Sequence, residues 1–178
     1  MCKPEEIHER WTQAQMHPIA PARVNSGPAQ EIVWKGDDLL NGHGLDMLPV
    51  PISTPGFDNA PYLTSANWVS KDPDTGIYNI GNYRSQIKSP NRNGGLFLGQ
   101  HMGQHWQKCK AKGIPLEAAI VIGVIPAIAY AATSKLPYDF DEFRLAGGLA
   151  REPIEVIRCQ TVDLEVPATA EIVIEGKI

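Results

Sequence analysis

Apolar residues stand at Ile7, Trp11 and Met16 among charged neighbours, with Pro4 ahead of them, and this spacing predicts a short amphipathic helix over residues 4–16. Pro18, Pro21, Gly27 and Pro28 follow, so residues 17–30 read as an extended arm. From Glu31 the texture changes. The runs EIVWKGDDL, MLPVPI, YLTSANWVS, GIYNIGNYRSQIK and GGLFLGQH are strand-length and are punctuated by Gly, Pro, Asn and Asp. DPDTG, between Ser70 and Ile77, predicts a hairpin turn. The middle of the chain is therefore read as mostly β.

Beyond it, His101 to Lys112 predicts a helix closed by Gly113, while LEAAIVIGVIP fits a helix and a buried strand equally well. Asp139 to Leu149 predicts a second helix, with Asp139 as N-cap and Glu142 in the first turn. PIEVIRCQTVDLEV and AEIVIEGKI predict two final strands divided by Pro167. No internal repeat occurs. The expected organisation is an N-terminal helix and arm over residues 1–30, followed by one domain over 31–178.

Composition narrows the class. Hydrophobic residues make up 43% and charged residues 20% of the 178 positions, an ordinary globular balance. Sixteen basic residues against 20 acidic ones give a net charge of -4, and no basic stripe is present. Polymeric nucleic acid is thus an unexpected partner, although Lys71, Lys88 and Arg92 are near enough in sequence to meet a single phosphate. The three cysteines, Cys2, Cys109 and Cys159, form no CxxC pair, which points to a reducing, cytoplasmic setting. MCKPEEIHER lacks the apolar core of an export signal, and the run from Ala118 to Ala132 is interrupted by Gly123 and Pro126, so no membrane span is expected.

The stretch from Asn79 to Arg84 gathers amide, phenol and guanidinium groups on a predicted strand. Strict alternation puts Asn79 and Arg84 on opposite faces, whereas a bulge at Gly81 brings them to one pocket. A hairpin strand with a polar exposed face accounts for the same residues. His101 and His105 are four apart, a helical metal-pair spacing, but Met102, Gly103 and Gln104 supply no HExxH glutamate, so a zinc protease is not expected. Glu142 is a candidate third ligand for a hard divalent ion, and equally an ordinary helix N-terminal acid. Glu165, Glu171 and Glu175 recur on the terminal strands, as a candidate acid pair or as solubilising edge charges.

Read together, EIVWKGDDLLNGHGLDMLPVPISTPGFDNAPYLT, GIYNIGNYRSQIK, LGQHMGQHW and EFRLAGGLAREPIEVIRCQTVDLEVPATAEIVIEG resemble, in order and spacing, the central region of UbiD-type decarboxylases. The resemblance implies a mainly β (α+β) domain, a split β-barrel of the flavin-reductase-like FMN-binding kind with peripheral helices. It implies prenylated FMN or FMN as cofactor, with Mn²⁺ or Mg²⁺, and in some members K⁺. Asn79, His101 and Glu142 would hold the divalent ion. Asn82, Tyr83, Arg84, Leu98, Gly99, Gln100, Met102 and Gly103 would line the cofactor, and Arg84 would act in catalysis by gripping a substrate carboxylate. Phe97 stands where many relatives carry an arginine.

The implied substrates are aromatic or unsaturated carboxylic acids. The family's two catalytic acids sit in a PEGPxGE/D-like stretch after IVIEG, and none occurs in these 178 residues. The N- and C-terminal domains of full-length members also have no counterpart in the sequence. The expectation is a cofactor-binding component, working with a companion subunit and prone to homo-oligomerise. Its alternatives are a non-catalytic flavin and metal module and an inactive, self-associating remnant.

Overall fold

Local sequence fixes the elements in chain order, and a computed structural model describes them over residues 3–178. Pro4–Glu6 is a 3₁₀ turn that starts α1 (Ile7–Met16), as the proline and the apolar spacing require. After β1 (Ala22–Arg23), three further 3₁₀ turns occupy Pro28–Gln30, Gly36–Leu40 and Leu45–Met47. Next come β2 (Tyr62–Leu63), β3 (Asn67–Lys71), β4 (Tyr78–Asn82), β5 (Ser85–Ser89), β6 (Arg92–Gly95) and α2 (His101–Ala111). The chain finishes with β7 (Glu117–Ile122), α3 (Pro126–Thr133), α4 (Glu142–Ala150), β8 (Glu155–Arg158), β9 (Glu165–Pro167) and β10 (Ile172–Lys177).

The central sheet, in the order β10-β7-β3-β4, is antiparallel throughout. Successive side chains of a strand point to opposite faces, and here both faces are covered. Val69, Ile80, Ala119 and Val121 pack with Ile128, Phe143, Leu145 and Ala146 of α3 and α4. Trp68, Ala118 and Ile120 pack with Met102 and Cys109 of α2. Each fully buried aliphatic side chain contributes roughly 1.5–3 kcal/mol. Burial on two sides explains why LEAAIVI lacks an alternating polar face. Its choice of strand over helix follows from Gly123, which turns the chain at φ 70°, and from Pro126, which opens α3.

Two smaller sheets flank this one, β2-β5-β6 and β1-β8-β9, the latter with a parallel β1–β8 pair. Residues 17–30 are extended, as the prolines dictate, but they are tied into the fold: Ala22 and Val24 donate to the Ile154 and Val156 carbonyls at 2.9 Å each. The glycines of the AGGLA stretch serve close packing here. A Cβ on Gly148 would stand 2.7 Å from the Ala14 carbonyl oxygen, so α1 lies directly on α4.

Several expectations differ from what is observed. Residues 31–39 and 47–52 form no strands, because Gly36, Asp37 and Asp38 favour a 3₁₀ turn and the apolar Ile32, Val33 and Trp34 remain exposed without a partner strand. Residues 76–88 split into β4 and β5, which belong to different sheets, and Gly81 carries no bulge, since it sits in regular register opposite Trp68. α4 begins at Glu142 with Asp141 as N-cap, its carboxylate accepting from the Phe143 N–H at 2.8 Å; Asp139 is too early to cap it. PIEVIRCQTVDLEV is a hairpin of β8 and β9 rather than one strand. The architecture is mixed α/β rather than mainly β. Among the described residues the sheets stay open and no closed barrel forms, because the chain leaves the central sheet after Asn82 and continues in another. Cys2 lies outside the described residues.

Candidate functional site

β4 is an edge strand of the central sheet, so the backbone N–H of Ile80 points outward with no strand to receive it. Glu142, the first residue of α4, receives it instead: its Oε2 accepts at 3.0 Å. Across the same edge, on the other face of the sheet, α2 begins with His101, whose Nδ1 lies 4.0 Å from Glu142 Oε1. Asn79 precedes Ile80 in β4, next to the edge where Glu142 and His101 meet; these are the three residues expected as ion ligands.

Burial dominates the electrostatics. Glu142 is 3% exposed, and among the described residues no lysine or arginine pairs with it. Desolvation pushes its carboxyl up to about 8, the neighbouring Asp141 charge adds to this, and the Ile80 N–H opposes it. Desolvation also lowers His101, against the pull of Asp139, so the imidazole is neutral and free to ligate at physiological pH. The Asn79 side chain is within reach of the Tyr83 phenol, yet its buried amide nitrogen has no hydrogen bond of normal geometry. The 4.0 Å between His101 Nδ1 and Glu142 Oε1 is within the reach of two bonds of roughly 2.1 Å to a single ion. A buried carboxyl with no lysine or arginine partner among the described residues and a neutral imidazole beside it suit a hard divalent ion; the unpartnered Asn79 nitrogen is a donor and does not itself ligate a cation. Among the described residues no three His, Cys, Asp or Glu side chains cluster for a metal.

The cofactor-lining candidates divide by depth. Asn82, Arg84, Leu98, Gly99 and Gln100 lie at the surface around the mouth formed by the end of β4 and the start of α2. Arg84 has no ion pair among the described residues. Tyr83 is half-buried, its ring lying on Gly81 where a side chain would collide with it, and burial pushes its phenol up. Met102 and Gly103 are buried beneath the mouth; Met102 belongs to the core, and Gly103 leaves room for the Phe97 carbonyl that crosses the first turn of α2.

His105 takes no part in the ligand set. It is buried, its Nδ1 lies 2.9 Å from Ser70 Oγ, and desolvation lowers it to about 4. The terminal glutamates are used elsewhere: Glu175 accepts the Gln160 and Thr161 N–H groups, and Glu165 pairs with Arg23. Lys71 is bound to Asp163 at 2.9 Å, away from Lys88 and its partner Gln86. Sequence reasoning missed Asp72, Lys108 and Tyr138, which meet next to His101; only the polar DPDTG turn marked one of them.

The sequence matches the family described as the UbiD 3-octaprenyl-4-hydroxybenzoate carboxy-lyase Rift-related domain over residues 22–178. The anhydromevalonate phosphate decarboxylase of Methanothermobacter thermautotrophicus is 32% identical over 178 residues, which is 99% of this chain and 40% of that protein. The UbiD-class enzyme HmfF of Pelotomaculum thermopropionicum, solved with FMN, is 38% identical with a TM-score of 0.89, over 97% of this chain and 38% of that one. An evolved dimeric form of it, solved with prFMN, gives a TM-score of 0.90. The vanillic acid decarboxylase of Sedimentibacter hydroxybenzoicus is 27% identical with a TM-score of 0.88, over 99% of this chain and 38% of that one. The chain thus spans 38–40% of the length of these relatives. Among the described residues no helix is long and apolar enough to cross a membrane.

Proposed function

Because this chain belongs to the UbiD family of carboxy-lyases, we propose that it is the cofactor-holding part of a decarboxylase for aromatic or other unsaturated carboxylic acids. The observation that carries the reading is the buried, cation-free Glu142 carboxylate sharing an edge of the sheet with His101 and Asn79. These three residues hold Mn²⁺ or Mg²⁺, and the ion ties the phosphate of prenylated FMN or FMN to an acidic protein. When bound, the prenylated flavin supplies the electron sink for CO₂ loss.

The residues of the chain do the rest. Asn82, Tyr83, Leu98, Gly99 and Gln100 border the flavin at the mouth, and the N-terminus of α2, which no side chain caps, favours the phosphate there. Arg84, without a carboxylate partner, holds the substrate carboxylate in a bidentate fork. Met102 and Gly103 keep the first turn of α2 in place beneath them. The two wholly antiparallel sheets, β10-β7-β3-β4 and β2-β5-β6, are read as the halves of a split flavin-binding barrel. Proton delivery is assigned to acids of a further segment or a companion chain. The exposed apolar residues Ile32, Val33 and Trp34 are assigned to homo-oligomer or companion contacts.

Anaerobic loading of the purified chain with Mn²⁺ and prenylated FMN tests the reading. Stoichiometric metal and a flavin absorbance band are expected in the wild type, and both should be lost in Glu142→Gln and His101→Ala. Equal metal and flavin contents in wild type and variants would sink the assignment.

A further inference from the structure

Asp72 is a fully buried carboxylate at the start of the β3–β4 turn, and both of its oxygens are engaged. Its Oδ1 accepts from the backbone N–H groups of Asp74 at 2.8 Å and Thr75 at 3.3 Å. Its Oδ2 accepts from Lys108 Nζ at 2.6 Å and from the Tyr138 hydroxyl. Burial alone would raise this carboxyl, but the bonds from Lys108, Tyr138 and the two N–H groups outweigh it and hold Asp72 well below the usual carboxylate range. Lys108 also lies over the Tyr138 ring, 5.1 Å from its centroid.

The partners come from three different places. Asp72 belongs to the hairpin whose second strand carries Asn79, Lys108 belongs to the helix that begins with His101, and Tyr138 lies in the segment that leads into Glu142. One buried carboxylate thus links the three elements that present the ion ligands. Tyr138 also touches a ligand directly: its ring stands edge-on to the His101 imidazole, with centroids 5.4 Å apart and planes at 80°. Among the described residues His101 makes no side-chain hydrogen bond, so the acceptor that ordinarily fixes the ring of a metal-bound histidine is absent. The aromatic edge contact takes its place.

We propose that Tyr138, anchored by Asp72 and Lys108, is the positioning residue that fixes the His101 ring and the spacing of the three ligands. This rests on the ion-site reading given above. If it holds, Tyr138→Leu, which removes both ring and hydroxyl, weakens Mn²⁺ binding about tenfold. Tyr138→Phe keeps the ring and loses only the anchor, so it should weaken binding by part of that. A purely structural role would lower the melting temperature and leave the affinity of the folded chain unchanged.

The test combines Mn²⁺ titration of the full chain, followed by the electron paramagnetic resonance signal of the free ion, with histidine ring NMR of the metal-free protein. Tyr130→Phe, on the far side of the central sheet, is the control and should leave both readouts at wild-type values. Weakened Mn²⁺ binding in the order Leu, then Phe, together with a shifted and broadened His101 ring resonance, is the expected result. Wild-type affinity or an unmoved His101 resonance in Tyr138→Leu would overturn the proposal. A wild type that binds no Mn²⁺ would overturn the ion-site reading alone, and the metal-free His101 resonance would still decide for or against Tyr138.

Discussion

Glu142 carries two opposed demands, since it must receive the Ile80 N–H at the edge of the sheet and must do so where a carboxylate is costly to ionise. Glu142→Gln keeps the acceptor and removes the titratable group. At pH 8 the metal-free variant should therefore melt at or above the wild-type temperature while losing Mn²⁺ binding, which calorimetry with and without the ion will show. Arg84 has the reverse profile. It lies at the surface with no ion pair among the described residues, so Arg84→Ala should change stability by no more than about 0.5 kcal/mol in denaturant melts. Its substrate affinity should fall sharply in the reconstituted enzyme. His101 and Glu142 were legible only as members of a resembling family, because taken singly each fits an ordinary helix start. Asp72 was legible only as a residue of the DPDTG turn and Tyr138 not at all: they are 66 positions apart, and only tertiary packing makes them partners.

At the scale of elements, the readable parts were those whose signal is local. α1, α2 and the DPDTG turn follow from apolar spacing, Gly113 and turn chemistry, whereas the run around Ile120 needed the sheet to decide it, since burial on both faces erases periodicity. Residues 31–39 and 47–52 failed as strands because neither stretch has a neighbouring strand to supply a ladder: Ile32, Val33 and Trp34 stay exposed, and Leu48 and Val50 pack on the core from a loop. Gly103 shows how an element carries the site. Its missing side chain admits the Phe97 carbonyl over the first turn of α2, so Gly103→Ala must displace either the loop or the helix. A loss of about 1–3 kcal/mol is expected in chemical denaturation, with weaker Mn²⁺ binding because His101 opens that same turn. At the far end of α4, Arg151 closes the helix at φ 64°, a left-handed conformation that disfavours any side chain. Arg151→Gly should raise stability by up to about 1 kcal/mol, read as a higher denaturation midpoint, with Mn²⁺ affinity unchanged.

For the molecule as a whole, two buried groups on opposite faces of the central sheet set opposing limits on stability. His105 is held neutral, its value lowered from 6.5 to about 4 by burial. Between those values the unfolded chain binds a proton that the folded chain refuses, so stability falls as pH drops from 6.5 towards 4. Glu142 does the opposite, its value raised from 4.5 to about 8. Below pH 4.5 it is protonated in both states and costs nothing; from 4.5 to 8 the unfolded chain releases a proton that the folded chain keeps, so stability falls as pH rises and levels off beyond. Moving a titration by one pH unit between the folded and unfolded chain is worth about 1.4 kcal/mol, which makes both limits large on the scale of a domain's net stability. The metal-free chain should therefore be most stable in mildly acid solution. On the proposed ion site, saturating Mn²⁺ should supply a countercharge for Glu142 and leave His105 untouched. Thermal melts across pH 4–9 should show the alkaline decline abolished by Mn²⁺ and by Glu142→Gln, and, because the two slopes oppose one another between pH 4.5 and 6.5, the His105 acid decline should become visible over that range in both cases. An alkaline decline that persists with the ion bound would mean that Glu142 is not its ligand.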